Sequence, residues 1–402
     1  MDLIIPIILF AIGLIMLIKG GDWFVDGATG IAHRFHIPEI LIGATVVSIG
    51  TTLPEVMVSA TGAMQGQGAM AYGNAIGSII CNTALIAALT VAIRPSGIEK
   101  KTLKFPVIFF FCVAIFYAFV AYFFGEFARP VGIVLLCGFV AYMIVLVIQA
   151  FKDRKPKEEI TGELVLDALD DEVEEENQSS VGDFVGFLLV AAGLIVAQVI
   201  GIVSNGGFLT DLSDILGFAG FYLDGVLGII FLAIGLTKAI AHDGLKLLNS
   251  NVLFLVLGAA IIAIGATLLV DNGTIIAEKL GVPSSVIALT FVALGTSLPE
   301  LVTAITSLVK GHSSLSLGNV IGANIFNLVL VSGTSITISP FKVPAEKMIS
   351  GMNASLVVDI PVMLSVMALL TLPALFRGKL SRWQGITLLG IYASFCVFQF
   401  AF

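Results

Sequence analysis

Two carboxylates stand where an acid has few options. Glu55 lies deep in the apolar stretch 38–64, and Glu300 lies in the matching stretch 283–309. An ionised carboxylate in hydrocarbon costs several kcal/mol, so each must face a cavity, keep a proton or hold a cation. Oxygen-bearing neighbours surround both. Thr51 and Thr52 precede Glu55 by four and three residues and Ser48 by seven, so on a helix they share its face. Pro54 has no N–H; it leaves the Gly50 carbonyl without its helical donor and bends the chain beside the acid. Thr296, Ser297 and Glu300 repeat the pattern, with Pro299 in the place of Pro54. In the stretches that follow, Ser78 and Asn82 stand at i and i+4, as do Ala323 and Asn327, bringing neutral oxygens from a second pair of helices. Gly73, Gly77, Gly318 and Gly322 would let those helices pack closely.

The inventory is two carboxylates with hydroxyl, amide and backbone oxygens, and no His or thiolate nearby. Calcium takes hard oxygens in a tolerant geometry, whereas zinc, copper and iron favour nitrogen or sulfur and magnesium demands a tighter octahedron. Two negative charges balance one calcium ion, and sodium ions or protons could balance the same pair. Mutually exclusive occupancy of one cavity is the physical basis of exchange. A single acid of this kind also admits the reading of a buried residue hydrogen-bonded to its own helix; the duplicated set argues against it.

The duplication is explicit. Sliding the chain by 245 residues lays 38–82 over 283–327 without a gap, with 17 identities in 45 positions. Membrane composition alone would not align the polar residues. Yet Thr45 meets Thr290, Gly50-Thr51 meets Gly295-Thr296, Leu53-Pro54-Glu55 meets Leu298-Pro299-Glu300, Gly73-Asn74 meets Gly318-Asn319, and Asn82 meets Asn327. Asp26 meets Asp271 at the same offset.

The elements that must position these residues are membrane helices. The chain has 402 residues, 58% apolar and 12% charged, with a mean hydropathy of +1.06. A soluble domain carries about twice that share of charge. Windows of about 20 apolar residues place spans near 3–20, 38–64, 72–94, 104–125, 130–151, 184–205, 221–240, 251–270, 283–309, 317–339, 352–373 and 380–401. The fold class expected is therefore an all-α membrane protein, an inverted-repeat bundle of about twelve transmembrane helices in a 5 + 2 + 5 order. The inversion follows because the repeat begins at span one and again at span eight, an odd difference. In such folds, broken helices at the repeat interface hold substrate near the midplane.

The organisation that results is a first five-helix half, 1–151, with one repeat at 38–94; an acidic linker, 152–183; two additional helices, 184–247; and a second half, 248–402, with the other repeat at 283–339. Of the 20 Lys and Arg residues, 16 fall on one side of this arrangement and four (Arg129, Lys279, Lys342, Lys347) on the other. The positive-inside rule then sets both termini outside and the linker in the cytoplasm. The net charge of −8 comes largely from that linker, where 12 of the 28 acids lie between Asp153 and Asp183 without the spacing of a calcium loop. No basic stripe fits nucleic acid, and no obligate protein partner is evident. Met1-Asp2 offers no basic n-region of a signal peptide, so residues 3–18 read as a retained span. Cys81, Cys112, Cys137 and Cys396 lack metal or redox spacing and read as core residues. Asp359 is another intramembrane acid; without a repeat counterpart, it reads as paired or packed.

The two GT(T/S)LPE elements, with Gly73-Asn74-Ala75-Ile76-Gly77-Ser78 and Gly318-Asn319-Val320-Ile321-Gly322-Ala323, resemble the two alpha-repeats of the sodium/calcium exchanger (calcium/cation antiporter) superfamily in its prokaryotic form. The resemblance covers about 90 residues closely and both five-helix halves more loosely. It implies an antiporter that exchanges Ca2+ for Na+ by alternating access, with no catalytic residues and no cofactor beyond the transported ions. It implies that Glu55 and Glu300 are the shared carboxylates of the metal site and that Thr51 and Thr296 complete it for calcium. Ser48 and Ala293 would offer carbonyls to sodium, and Thr52, Ser297 and Ser78 further oxygens. Asn82 and Asn327 would lie at the middle. Three positions depart from the family pattern: Ala323 stands where Ser is usual, Asn327 where Asp is frequent, and Ile79 where Asn is retained as Asn324 in the second copy. The neutral Asn327 argues against the potassium-dependent branch, and the lost hydroxyl at Ala323 motivates a second reading, a Ca2+/H+ or other divalent/monovalent exchanger. A plasma-membrane location in a prokaryote follows from the same resemblance. A passive channel and an intramembrane protease are readings of other classes; the latter lacks any GxGD, HExxH or nucleophile–base pair.

Overall fold

Apolar runs this long must satisfy their backbone internally, and in the computed structural model they do so as helices. It describes residues 3–34, 38–98, 100–152, 250–279, 293–345, 348–349 and 351–401. In chain order these form α1 (Ile4–Arg34), α2 (Glu39–Ile42), α3 (Ser48–Met64), α4 (Gly68–Cys81), α5 (Ala88–Ile93), α6 (Lys100–Phe124) and α7 (Arg129–Lys152). The second part contributes α8 (Ser250–Lys279), α9 (Ala293–Thr296), α10 (Leu298–Val309), α11 (Ser313–Phe326), α12 (Ser332–Ile338), α13 (Ile360–Arg377) and α14 (Arg382–Ala401). Among the described residues, six helical runs are long and apolar enough to cross a membrane, or seven if the bent run from Glu39 to Met64 counts as one. The spans expected at 184–205 and 221–240, the acidic linker beyond Lys152, and 283–292 lie outside the described residues.

Helix bounds differ from the hydropathy windows most at α1, expected to end at residue 20 and found to run to Arg34. The window closes at Lys19 and Asp22, but these charges line one side of a continuing helix, where Lys310 pairs with Asp22 and Asp26. The opposite side is glycine-rich and lies against α8. A methyl group at Gly27 would collide with the Asn251 carbonyl and the Leu255 backbone, and one at Gly258 with the backbone of Phe24. All-α is also not the whole account of the turns. Glu126–Phe127 (β1) pairs antiparallel with Phe341–Lys342 (β2), and Met348–Ile349 (β3) with Met352–Asn353 (β4), giving turn backbone the partners that helix ends lack.

Burial separates centre from periphery. An apolar window of Ser313–Ile338 is 94% buried, whereas that of Lys100–Phe124 is only 39% buried and turns Ile115, Phe123 and Phe124 outward, as a lipid-facing helix does. Helix α11 packs against α2, α3, α4 and α10. Gly318 lies under the Ile40 carbonyl and Gly322 against Ala44 and Ser48, so the second pair of glycines closes the helix crossing as expected. A methyl group at Gly73 or Gly77 would meet no described neighbour within 4 Å, and the close packing expected of them is not seen among the described residues. Of the four cysteines read as core, only Cys81 is buried; Cys112 and Cys137 are exposed and Cys396 is intermediate. Cysteine is apolar enough for the lipid-facing surface of an apolar helix, so hydropathy does not distinguish the two settings. Asp359 accepts a hydrogen bond from Gln399 Nε2 at 3.1 Å, the pairing expected of it.

Candidate functional site

Each copy of the repeat sends one interrupted helix to the centre. In the first copy, α2 widens into a π-helical turn, Gly43–Val47, and continues as α3, bending by 45° between Glu39–Thr52 and Pro54–Met64. In the π turn the Gly43 carbonyl accepts from the Ser48 N–H and also from Ser48 Oγ, at 2.7 Å. In the second copy the helix breaks outright: Ser297 takes φ −92° and ψ 6°, and α10 restarts at Leu298 with Pro299 in its first turn. Glu300 therefore sits at the positive end of a helix.

The two copies hold each other by reciprocal contacts. Thr51 Oγ1 donates to Asn319 Oδ1 at 3.2 Å, and Thr296 Oγ1 donates to Asn74 Oδ1 at 3.4 Å. These are the same pair of repeat positions read in both directions, which is what a two-fold relation between copies produces. Ser48 Oγ also reaches Asn319 O at 3.0 Å, and Asn74 Nδ2 donates to Glu55 O at 3.1 Å and Ser59 Oγ at 2.7 Å. Asn74 and Asn319 were absent from the residues expected at the site. Their signal was in the sequence, since both belong to the Gly-Asn elements that match at 245 residues.

Within this frame lie the carboxylates. Glu55 and Glu300 are both fully buried and within electrostatic reach of one another. Thr52 Oγ1 reaches Glu300 Oε1 across the interface at 3.5 Å, and Ser297 Oγ reaches Ser78 Oγ at the same distance. Both oxygens of Glu55 and Oε2 of Glu300 have no hydrogen-bond partner among the described residues, and neither do the amide atoms of Asn82 and Asn327. Those two asparagines open π-helical turns at equivalent positions, Asn82–Ala87 and Asn327–Val331, and are fully buried. Such turns widen a helix and often mark functional positions. Among the described ion pairs, none reaches either carboxylate. The structure thus links Ser48, Thr51, Thr52, Glu55, Ser78, Thr296, Ser297 and Glu300, directly or through Asn74 and Asn319, where α3, α4, α10 and α11 meet, while Asn82 and Asn327 are buried at the ends of α4 and α11 without a described contact to either carboxylate. Ala293 begins α9 on the approach to Thr296. Ala323 is fully buried and contributes only a methyl group where Ser78 has its hydroxyl.

Buried oxygens without protein donors, two of them paired carboxylates, suit a cation of the hard, oxygen-preferring kind. Among the described residues no group of three His, Cys, Asp or Glu side chains forms a closed metal cage. A helical membrane bundle built around such a duplicated oxygen-rich centre defines a cation-transport protein. Comparison with known proteins agrees: the profile described as sodium/calcium exchanger protein matches residues 5–148 and 250–401, and the chain belongs to that family. It is 29% identical over 401 residues to the sodium/calcium exchanger MaX1 of Methanosarcina acetivorans, covering 98% of each chain. It is also 29% identical over 382 residues to the putative antiporter CaxA of Alkalimonas amylolytica, covering 94% of this chain and 93% of that one. Its fold matches a structure of the sodium-calcium exchanger NCX_Mj soaked with Na+ and Ca2+, with a TM-score of 0.65, 25% identity and 97% of each chain covered. The chain is a multi-pass integral membrane transporter of cations; it is not an enzyme, and the protease reading falls with that.

Proposed function

We propose that the protein exchanges Ca2+ for Na+ across the membrane by alternating access at the centre described above. One observation carries the reading. Two carboxylates, both fully buried and with three of their four oxygens lacking a described partner, meet between reciprocal copies of one interrupted helix. Their combined charge matches one calcium ion, and the surrounding oxygens match what calcium replaces its water with. In this reading Glu55 and Glu300 bridge the metal, and Thr51 and Thr296 complete its shell. Ser48, Ala293, Thr52, Ser297 and Ser78 supply oxygens to sodium, and Asn82 and Asn327 sit between the ions. MaX1 and NCX_Mj carry the same exchange in their names. The division into halves 1–151 and 248–402, a cytoplasmic linker 152–183 and a helix pair within 184–247 belongs to the same proposal. So do outside termini and a plasma-membrane location.

The test is radiolabelled calcium uptake into proteoliposomes under an imposed sodium gradient and then under a pH gradient alone. Uptake that follows sodium supports the exchange; uptake driven only by pH replaces it with the second reading. That second reading, Ca2+/H+ exchange, has its own observation, the buried methyl group of Ala323 opposite the hydroxyl of Ser78 in the repeat.

A further inference from the structure

Helix α10 carries a buried polar stripe that the site does not use. Counting from Glu300, Thr303 is three residues on and Ser307 seven on, so all three share one face and span about 10 Å of helix. Thr303 and Ser307 are fully buried, and neither hydroxyl has a partner among the described residues. Several other helical hydroxyls close onto their own backbone, as Thr29 does on Val25, Thr45 on Leu41, Thr371 on Met367 and Ser335 on Val331; Thr334 on α12 is the other buried helical Ser or Thr hydroxyl without a partner among the described residues.

One residue past Ser307, at Leu308, lies a cavity of about 10 Å³, the room of a single water. Ser307 itself is not among its walls, which are Thr90, Arg94, Ser96, Ser313 and Ser316 together with apolar side chains that include Leu308. It lies where α5 ends, α10 ends and α11 begins, and Arg94 Nη1 holds it there by donating to Leu308 O. Its wall is mixed, five polar residues and six apolar ones, and Ser316 is itself buried. The stripe on α10 thus leads from the carboxylate toward the end of the bundle that carries Arg94 and Lys310. The first copy has no such ladder: the positions equivalent to Thr303 and Ser307 are Val58 and Gly62.

We infer that Thr303 and Ser307 form the ion's route between Glu300 and the side of the membrane bearing Arg94 and Lys310, each hydroxyl standing in for water as the cation sheds or regains its hydration. The chemical class that fits is a partly dehydrated mono- or divalent cation. The inference rests on the reading of Glu300 as an ion ligand.

The experiment uses the full chain in proteoliposomes, with single cysteines at Ser307 and Thr303 in a background freed of the four native ones, and a membrane-impermeant charged thiol reagent. The Ser307→Cys side chain is expected to react from the Arg94 side only and to be protected by calcium. A Ser314→Cys control, at an exposed position on the same side, reports reagent access. In parallel, Thr303→Val with Ser307→Ala, which change size little, should lower exchange turnover roughly fivefold per hydroxyl removed while equilibrium calcium binding holds. An inert Ser307→Cys beside a reactive control, or wild-type turnover in the double variant, overturns the route. Glu300→Gln is assayed alongside: if it too transports normally, the ion site has failed as well; if it alone is dead, only the route has.

Discussion

The two copies of the repeat begin with nearly the same letters and end with different backbones. Gly50-Thr51-Thr52-Leu53-Pro54-Glu55 runs through its proline as one helix bent by 45°, whereas Gly295-Thr296-Ser297-Leu298-Pro299-Glu300 breaks at Ser297 and starts again. A helix tolerates proline in its first turn, where the missing N–H has no partner to lose, and that is where Pro299 sits. In the first copy Pro54 is interior, and the helix bends instead. The carboxylates inherit the difference. Glu300 has the N-terminal end of α10 and the Thr52 hydroxyl, while neither oxygen of Glu55 has a described partner. The first acid therefore depends more on the transported ion than the second.

The largest effect expected is the loss of transport. Glu55→Gln and Glu300→Gln should each weaken calcium binding by about 3 kcal/mol or more, roughly 100-fold, because each removes half of the charge that offsets the metal. Calcium uptake measures it, and near-normal transport in either variant would remove the site from the protein's chemistry. The comparison sharpens in the calcium-free protein, where the same substitutions should stabilise. Neutralising a buried acid without partners relieves a desolvation penalty of about 1–2 kcal/mol, and the gain should be greater for Glu55→Gln than for Glu300→Gln. Thermal unfolding in detergent with chelator reports the order. Added calcium at 100 times its Kd should then raise the wild-type stability by about 2.7 kcal/mol and leave both variants nearly unmoved. A larger chelator-state gain for Glu300→Gln would reverse the assignment of which acid is the more exposed to charge cost.

Much of this centre could be read from the letters, because duplication converts a weak local motif into a strong one. Both matched acids are buried, and matched hydroxyls of each copy reach across to the other. What could not be read has physical reasons. The bend of one copy and the break of the other follow from packing around a shared motif, and the motif alone specifies neither. The amides of Asn74 and Asn319 join the copies instead of merely lining them, a role that depends on which atoms of a partner 222 or 268 positions away come within 3.5 Å. Helix α1 outruns its apolar window because its charges pair with Lys310 and its glycines lie on α8, neither of which hydropathy measures. Gly73 and Gly77 look equal in sequence to Gly318 and Gly322, yet of these four only Gly318 and Gly322 meet a described neighbour.

A smaller effect concerns the coupling ion. Ala323→Ser restores at the second copy the hydroxyl that Ser78 supplies at the first, in a fully buried position beside α3. If sodium is the counter-ion, this variant should bind it more tightly by about 1 kcal/mol, roughly fivefold, with calcium affinity little changed. The measurement is the sodium concentration that half-drives calcium uptake. A pH-driven exchanger would show no change in it, and the two transport readings separate on that result.

The smallest expected effect tests the packing that joins the copies. Asn74 Nδ2 is satisfied by Ser59, but Asn319 Nδ2 has no partner among the described residues, and the residue equivalent to Ser59 is Ala304, fully buried on α10. Helices α10 and α11 pack together as α3 and α4 do, so Ala304→Ser should place a hydroxyl where Asn319 can donate to it. Satisfying a buried amide in this way should stabilise the protein by about 0.5–1.5 kcal/mol, offset in part by the crowding of one added oxygen. The gain should vanish in an Asn319→Ala background, whereas a gain that survives there would come from packing alone. Thermal unfolding of the two single variants and the double variant closes the cycle and gives the coupling between residues 304 and 319 directly. A coupling near zero would mean that the second copy does not reproduce the Asn74–Ser59 geometry, and that the correspondence between the halves stops at the hydroxyls around the two acids.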